Sequence, residues 1–167
     1  DGEYKGNRPP RPEELAAQIP YIKNLVDALG IASFEQQGVE ADDIIGTMAG
    51  RLNRDGHRVI IVSGDKDLLQ LVNESTTMWD PMNDRVMDRD AIFKKYQVTP
   101  EQLLDCFSLI CDTSDNVPGV PGVGPKSAAK LLGEFGSLDE LYEKVDSLKK
   151  SKMKERLIEN REAAFLS

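Results

Sequence analysis

Ser108-Leu-Ile-Cys-Asp-Thr-Ser-Asp-Asn-Val-Pro-Gly-Val-Pro-Gly-Val-Gly-Pro-Lys-Ser-Ala-Ala-Lys-Leu-Leu132 is the stretch on which the reading of this chain turns. It joins an apolar helical segment to two carboxylates, Asp112 and Asp115, then to a Gly/Pro-rich hairpin, then to a small-residue helix. Three residues apart, the two carboxylates point the same way on a continuing helical turn. Gly119, Gly122 and Gly124 alternate with Pro118, Pro121 and Pro125. Such glycines permit left-handed turns and close approach of another backbone. Pro125 stands where a helix begins, so the N–H groups after it are expected to be free donors at the positive end of the dipole. With Lys126 and Lys130 beside them, they describe an anion site. An ordinary Gly/Pro turn between two helices is the plainer reading of the same residues.

Working outward, the acids decide between these readings. The chain has 167 residues and a net charge of −8, which argues against a generic nucleic-acid binder unless bound cations reverse the local field. Upstream, 40–52 has Ala41, Ile44, Ile45, Met48 and Leu52 on one helical face, with Glu40, Asp42 and Asp43 in its first turn. Dipole stabilisation accounts for acids there, but three in four residues exceed what capping requires. Residues 58–63 are a continuous β-branched run, expected as a parallel strand buried on both faces. Asp65 and Asp67 follow at its carboxyl end, where open α/β sheets gather functional groups. Asp65 also suits an N-cap.

The remaining chain is read more simply. Residues 13–29 predict a helix with a kink or break at Pro20, and 31–36 a short strand. Residues 76–79 and 85–87 predict a hairpin. Helices are expected over 90–96, 99–110, 126–135, 138–145 and 151–165. The first half is therefore α/β and the second a helical cluster. No apolar run approaches the roughly 20 residues of a membrane span. Cys106 and Cys111 form no disulfide framework or zinc pattern, which suits a reducing intracellular setting and buried, inert thiols. His57, the single histidine, supports no histidine-based nucleophilic mechanism.

Glu40, Asp42, Asp43, Asp65, Asp67, Asp112 and Asp115 offer hard oxygen donors, which select Mg²⁺ or Mn²⁺ over zinc. Carboxylates brought together unpaired would raise one another's pKa values, a cost that divalent ions remove. Two ions about 3.5–4 Å apart would stabilise both the attacking and the leaving oxygen of a phosphodiester displacement. Lys5 and Arg8, in the basic opening loop, would brace the scissile phosphate.

Four motifs in order carry a resemblance: Glu3-Tyr-Lys-Gly-Asn-Arg-Pro-Pro10, Gly38-Val-Glu-Ala-Asp-Asp43, Ser63-Gly-Asp-Lys-Asp67 and Asp112-Thr-Ser-Asp-Asn-Val-Pro-Gly-Val-Pro-Gly-Val-Gly124. The chain resembles the 5′-nuclease (flap endonuclease) family, nearest to the 5′→3′ exonuclease domains of bacterial DNA polymerases I. The resemblance implies an α/β fold: a PIN-like parallel-sheet core over 1–98, with an arch remnant at 1–12. A helical subdomain would follow over 99–167, with a helix-3-turn-helix hairpin at 117–132. It implies a two-metal hydrolase acting in replication and repair on DNA with 5′ flaps, nicks or gaps, independent of base sequence. Glu40, Asp42 and Asp43 resemble its first metal group, and Asp65, Asp67, Asp112 and Asp115 its second. Lys5 and Arg8 resemble the basic pair at the foot of the arch, with catalytic roles. Gly119, Val120, Gly122, Val123, Gly124, Lys126, Ser127 and Lys130 would hold the duplex backbone, with K⁺ at the hairpin carbonyls. A cytoplasmic, nucleoid-associated location follows, with no membrane, and a polymerase domain would lie beyond Ser167.

Two departures from the family pattern stand out. Cys111 occupies a position that is commonly Gly, and no segment matches the family's two opening strands with their metal-binding aspartates. The expectation is an exposed apolar sheet edge, a weakened first metal site, and a chain that alone binds DNA and metal poorly and cuts weakly or not at all. Two other readings compete. A phosphatase with an aspartate nucleophile would explain Asp65 and Asp67 but not the hairpin. A non-catalytic DNA-binding module would explain the hairpin but not the seven acids.

Overall fold

The structure is a computed structural model that describes residues 10–110 and 118–166. It is an α/β unit followed by helices. After α1 (Glu13–Ala28) and α2 (Ala41–Arg54) come β1 (Val59–Val62), a 3-10 turn (Lys66–Leu71), β2 (Thr76–Asp80), β3 (Arg85–Met87) and α3 (Arg89–Tyr96). The helical half has α4 (Leu103–Leu109), α5 (Pro125–Phe135), α6 (Leu138–Glu143), α7 (Lys152–Glu159) and α8 (Arg161–Leu166). The sheet order is β1-β2-β3; β1 and β2 are parallel with Val59 opposite Thr76, while β2 and β3 form the expected hairpin with Met78 opposite Met87.

One apolar core runs from the sheet into the helices. Ile61, Leu69, Met78 and Ile92 join Leu103, Leu109, Val120, Leu132, Leu141 and Leu157 in it. Polar side chains tie the helices together at their ends. Gln102 Nε2 donates to the carbonyls of Leu132 (3.2 Å) and Gly136 (2.8 Å) where α5 stops; the Leu132 carbonyl also accepts the Gly136 N–H at 2.8 Å. Asp105 Oδ2 accepts from the Leu138 N–H at 2.9 Å where α6 starts.

Four expectations are corrected: a break at Pro20, a strand at 31–36, burial of β1 on both faces and a single helix over 151–165. Pro20 does not break α1, which is helical throughout. Its apolar stripe is not buried: Leu15, Ile22 and Leu25 are exposed, and only Ile19 and Val26 are half-covered. Residues 31–36 form no strand, because no strand among the described residues lies beside them to complete a ladder. β1 is buried on one face only; Ile61 is in the core, whereas Ile60 and Val62 are 67% and 59% exposed. Residues 151–165 are two helices, parted at Asn160, whose Nδ2 turns back to the Arg156 carbonyl at 2.8 Å.

Among the described residues, β1 is an edge strand with an apolar outer face. β1 ends the sheet, and its outer face opens on a cleft of about 550 Å³ lined by Phe34, Val39, Ile44, Met48, Ile60 and Val62. Among the described residues, no helix is long and apolar enough to cross a membrane.

Candidate functional site

The carboxylates stand at the ends of elements, as their sequence positions require. Glu40 is the residue before α2, and Asp42 and Asp43 are exposed in its first turn, opposite Arg51 and Arg54 in its last. That polarity complements the helix dipole. Asp43 and Arg51 line one small hollow beside Phe34 and Gln36. Asp65 caps the 3-10 turn after β1: its Oδ1 accepts from the Asp67 N–H at 3.0 Å, and its own N–H donates to Ser63 Oγ at 3.0 Å. One carboxylate oxygen of Asp65 is thus committed to the turn, which aims the other away from it. Lys5, Arg8, Asp112 and Asp115 lie outside the described residues, as does Cys111.

Among the described residues, no three acidic, histidine or cysteine side chains are close enough together to hold one metal ion. Glu40, Asp42 and Asp43 stand at the start of α2, and Asp65 and Asp67 follow β1. The donor set suits hard divalent cations because it is all carboxylate oxygen.

A further carboxylate, Asp80, ends β2 beside Gly64, yet it is spent on a turn. Its oxygens accept from the Met82 N–H (3.1 Å), the Asn83 N–H (3.3 Å) and Asn83 Nδ2 (2.6 Å). The Asn83 side chain, followed by the backbone bonds and Arg85, holds its pKa below the usual carboxylate value. Cys106 is buried and free, and desolvation, helped by Asp105, pushes its thiol up to about 11, so it is inert as expected.

The hairpin has the backbone that its glycines promised. Gly119 and Gly122 take left-handed φ values of 53° and 81°, and Pro125 opens α5 behind Gly124. Val120 and Val123 point inward, 0% and 4% exposed, and the Val120 N–H donates to the Leu109 carbonyl at 3.0 Å. Their side chains anchor the hairpin to the core, so any contact they make with a ligand is through backbone. The expected row of free donors is shortened: the Ser127 and Ala128 N–H groups both return to the Gly124 carbonyl, at 2.9 and 3.0 Å. What this turn presents outward is chiefly the ammonium groups of Lys126 and Lys130, both on exposed residues.

Sequence reasoning missed a neighbour of these lysines. Lys95, Tyr96 and Gln97, from the end of α3, share a groove of about 470 Å³ with Lys126, Ala129 and Lys130. Spacing along the chain could not reveal it, because α3 and α5 meet only in the tertiary structure.

The described residues thus offer acids at helix and strand ends and, at the Gly/Pro hairpin, exposed lysines. The chain belongs to the 5′-3′ exonuclease family: residues 1–97 match its N-terminal resolvase-like domain and residues 98–167 its C-terminal SAM fold. It is 44% identical to DNA polymerase I of Bacillus subtilis over 169 residues, covering 99% of this chain and 19% of the polymerase. The structure of T5 5′-exonuclease with divalent metal ions (zinc) bound is 26% identical, with a TM-score of 0.80, covering 98% of this chain and 64% of that one. The T5 flap endonuclease in a complex with DNA and metal ions is 25% identical, with a TM-score of 0.78 and the same coverage. The chain thus spans about a fifth of the polymerase and just under two thirds of the T5 enzyme.

Proposed function

We propose that the chain is a divalent-metal-dependent 5′-nuclease module that hydrolyses DNA phosphodiesters at 5′ flaps, nicks and gaps, without reading base sequence. The observation that carries this reading is end-to-end membership of the 5′-3′ exonuclease family with the acidic and hairpin motifs in place. Lys126 and Lys130 would hold backbone phosphates beside the left-handed turns of the hairpin. Val120 and Val123 keep that turn rigid from below. Gly119, Gly124 and Ser127 set its backbone, whose carbonyls are the candidate K⁺ ligands. Glu40, Asp42, Asp43, Asp65, Asp67, Asp112 and Asp115 would hold a pair of Mg²⁺ or Mn²⁺ ions. When bound, such ions stabilise negative charge on the attacking and leaving oxygens. Lys5 and Arg8 would brace the scissile phosphate. A polymerase domain in the same polypeptide is the expected partner, given relatives such as the polymerase above.

Weak cleavage by this chain alone is part of the proposal, since the outer face of β1 and the stripe of α1 are uncovered among the described residues. The test is incubation with a labelled 5′-flap duplex in Mg²⁺, Mn²⁺ or EDTA. Metal-dependent release, even slow, is expected, with Asp115→Ala abolishing release while sparing duplex affinity. A non-catalytic binding module is the second reading, since the left-handed hairpin with its exposed lysines would by itself account for duplex binding. Duplex binding with no metal-dependent release, by this chain or by one with family-type opening strands added, would establish it instead.

A further inference from the structure

We propose that Lys95 is a DNA-positioning residue: the groove between α3 and α5 holds a stretch of phosphodiester backbone and carries the duplex from the hairpin onto the α/β half. The inference rests on the nuclease reading above and extends its footprint to a residue outside the hairpin.

Three observations carry it. First, Lys95, Lys126 and Lys130 line one groove although they come from the two halves of the chain. None of the three makes an ion pair among the described residues, whereas Lys23, Lys144 and Lys154 pair with Glu35, Glu140 and Asp146. Three uncompensated cations gathered in one groove of a chain with net charge −8 repel one another until a polyanion enters.

Second, Lys95 is not needed where a last-turn lysine usually acts. The carbonyls of Phe93 and Lys94 at the end of α3 already accept from Gln97 Nε2, at 3.2 and 3.1 Å, and Gln97 closes the helix with a left-handed φ of 60°. The Lys95 ammonium instead lies 4.8 Å from the centre of the Tyr96 ring, which steadies it in the groove.

Third, the groove is coupled to the acidic turn through aromatic contacts. Tyr96 packs edge-on against Phe107 with ring centres 5.7 Å apart, and the Lys66 ammonium lies 5.5 Å from the Phe107 ring centre. Lys66 stands between Asp65 and Asp67. A phosphate held at Lys95 is therefore registered against the carboxylates by a packed path, which lysines on the hairpin alone do not provide.

The test uses the full chain, EDTA to prevent cleavage, and a fluorescent 5′-flap duplex titrated from about 50 to about 200 mM KCl. Lys95→Gln is expected to lower affinity roughly three- to tenfold at low salt, and to reduce the slope of log K against log salt by about 1. The loss should be equal on flaps of unrelated sequence. Lys95→Arg should restore the slope, and the thermal midpoint of Lys95→Gln should match the parent. Unchanged affinity and slope in Lys95→Gln, with both reduced in Lys126→Gln, would overturn the inference and leave the nuclease reading standing. No effect of either substitution, or no duplex binding by the parent, would overturn both.

Discussion

Arg156 lies directly over Gly122: a Cβ built at position 122 would fall 2.0 Å from Arg156 Nη1. The long side chain from α7 closes over the hairpin where the backbone turns left-handed, at φ 81°. Gly122 is therefore favoured chiefly for its φ, while the flexible end of Arg156 fills the room beside it. Gly122→Ala is expected to cost about 1–2 kcal/mol, mostly from the left-handed φ. The end of Arg156 can swing aside at little cost. Urea unfolding of the variant and of Gly122→Ala/Arg156→Ala should give nearly the same loss relative to their respective backgrounds. A much smaller loss in the Arg156→Ala background would show that the contact, not the φ, dominates.

Gln102 is one of the polar links in the helical half, its amide donating to two carbonyls at the end of α5. Gln102→Leu keeps the bulk and takes the side-chain donor from the Gly136 carbonyl, while the Leu132 carbonyl keeps the Gly136 N–H at 2.8 Å. A loss of about 1–3 kcal/mol is expected from chemical denaturation. Hydrogen exchange should rise first at the end of α5.

Arg89 bridges Glu101, in a very short contact, and Glu74, 3.2 Å from its Nε. The Arg89 hydrogen bond, more than any other cause, draws the Glu101 carboxyl down to about 2 from its ordinary 4.5. A depressed folded pKa gives stability that is present above about 4.5 and lost as pH falls toward 2. Glu101 is 61% exposed, so the pair is worth at most about 1 kcal/mol. The stability gap between the parent and Glu101→Gln should accordingly shrink as pH is lowered from about 6 to about 3.

Asp65 serves the local fold and, on the proposed function, the metal. Asp65→Asn retains an oxygen for the Asp67 N–H, so its stability should stay near that of the parent, whereas Asp65→Ala should lose about 1 kcal/mol with the cap. Both should lose metal-dependent flap release. Release by Asp65→Asn at the parental rate would remove Asp65 from the metal group.

Ile60 and Val62 leave the outer face of β1 apolar and open. Ile60→Lys should cost within about 0.5 kcal/mol, as a surface change, while reducing self-association in sedimentation measurements. A large loss of stability would mean that the face is covered in solution.

Local chemistry is what the amino-acid order alone determined. The β-branched run of 59–62 favours the strand that it forms. Gly119, Gly122 and Pro125 dictate the hairpin, because few other residues take those angles. The acidic clusters were legible for the same reason: helix and strand ends are set by neighbours in sequence. Tertiary packing decided the rest. It put Val120 and Val123 in the core and left Ile60 and the stripe of α1 uncovered. It also joined Lys95 to Lys126 and Lys130 across two halves of the chain. Periodicity says which face of an element is apolar, but not what lies against it. Burial and the convergence of charges depend on contacts between residues far apart in sequence, and these exist only once the elements have packed.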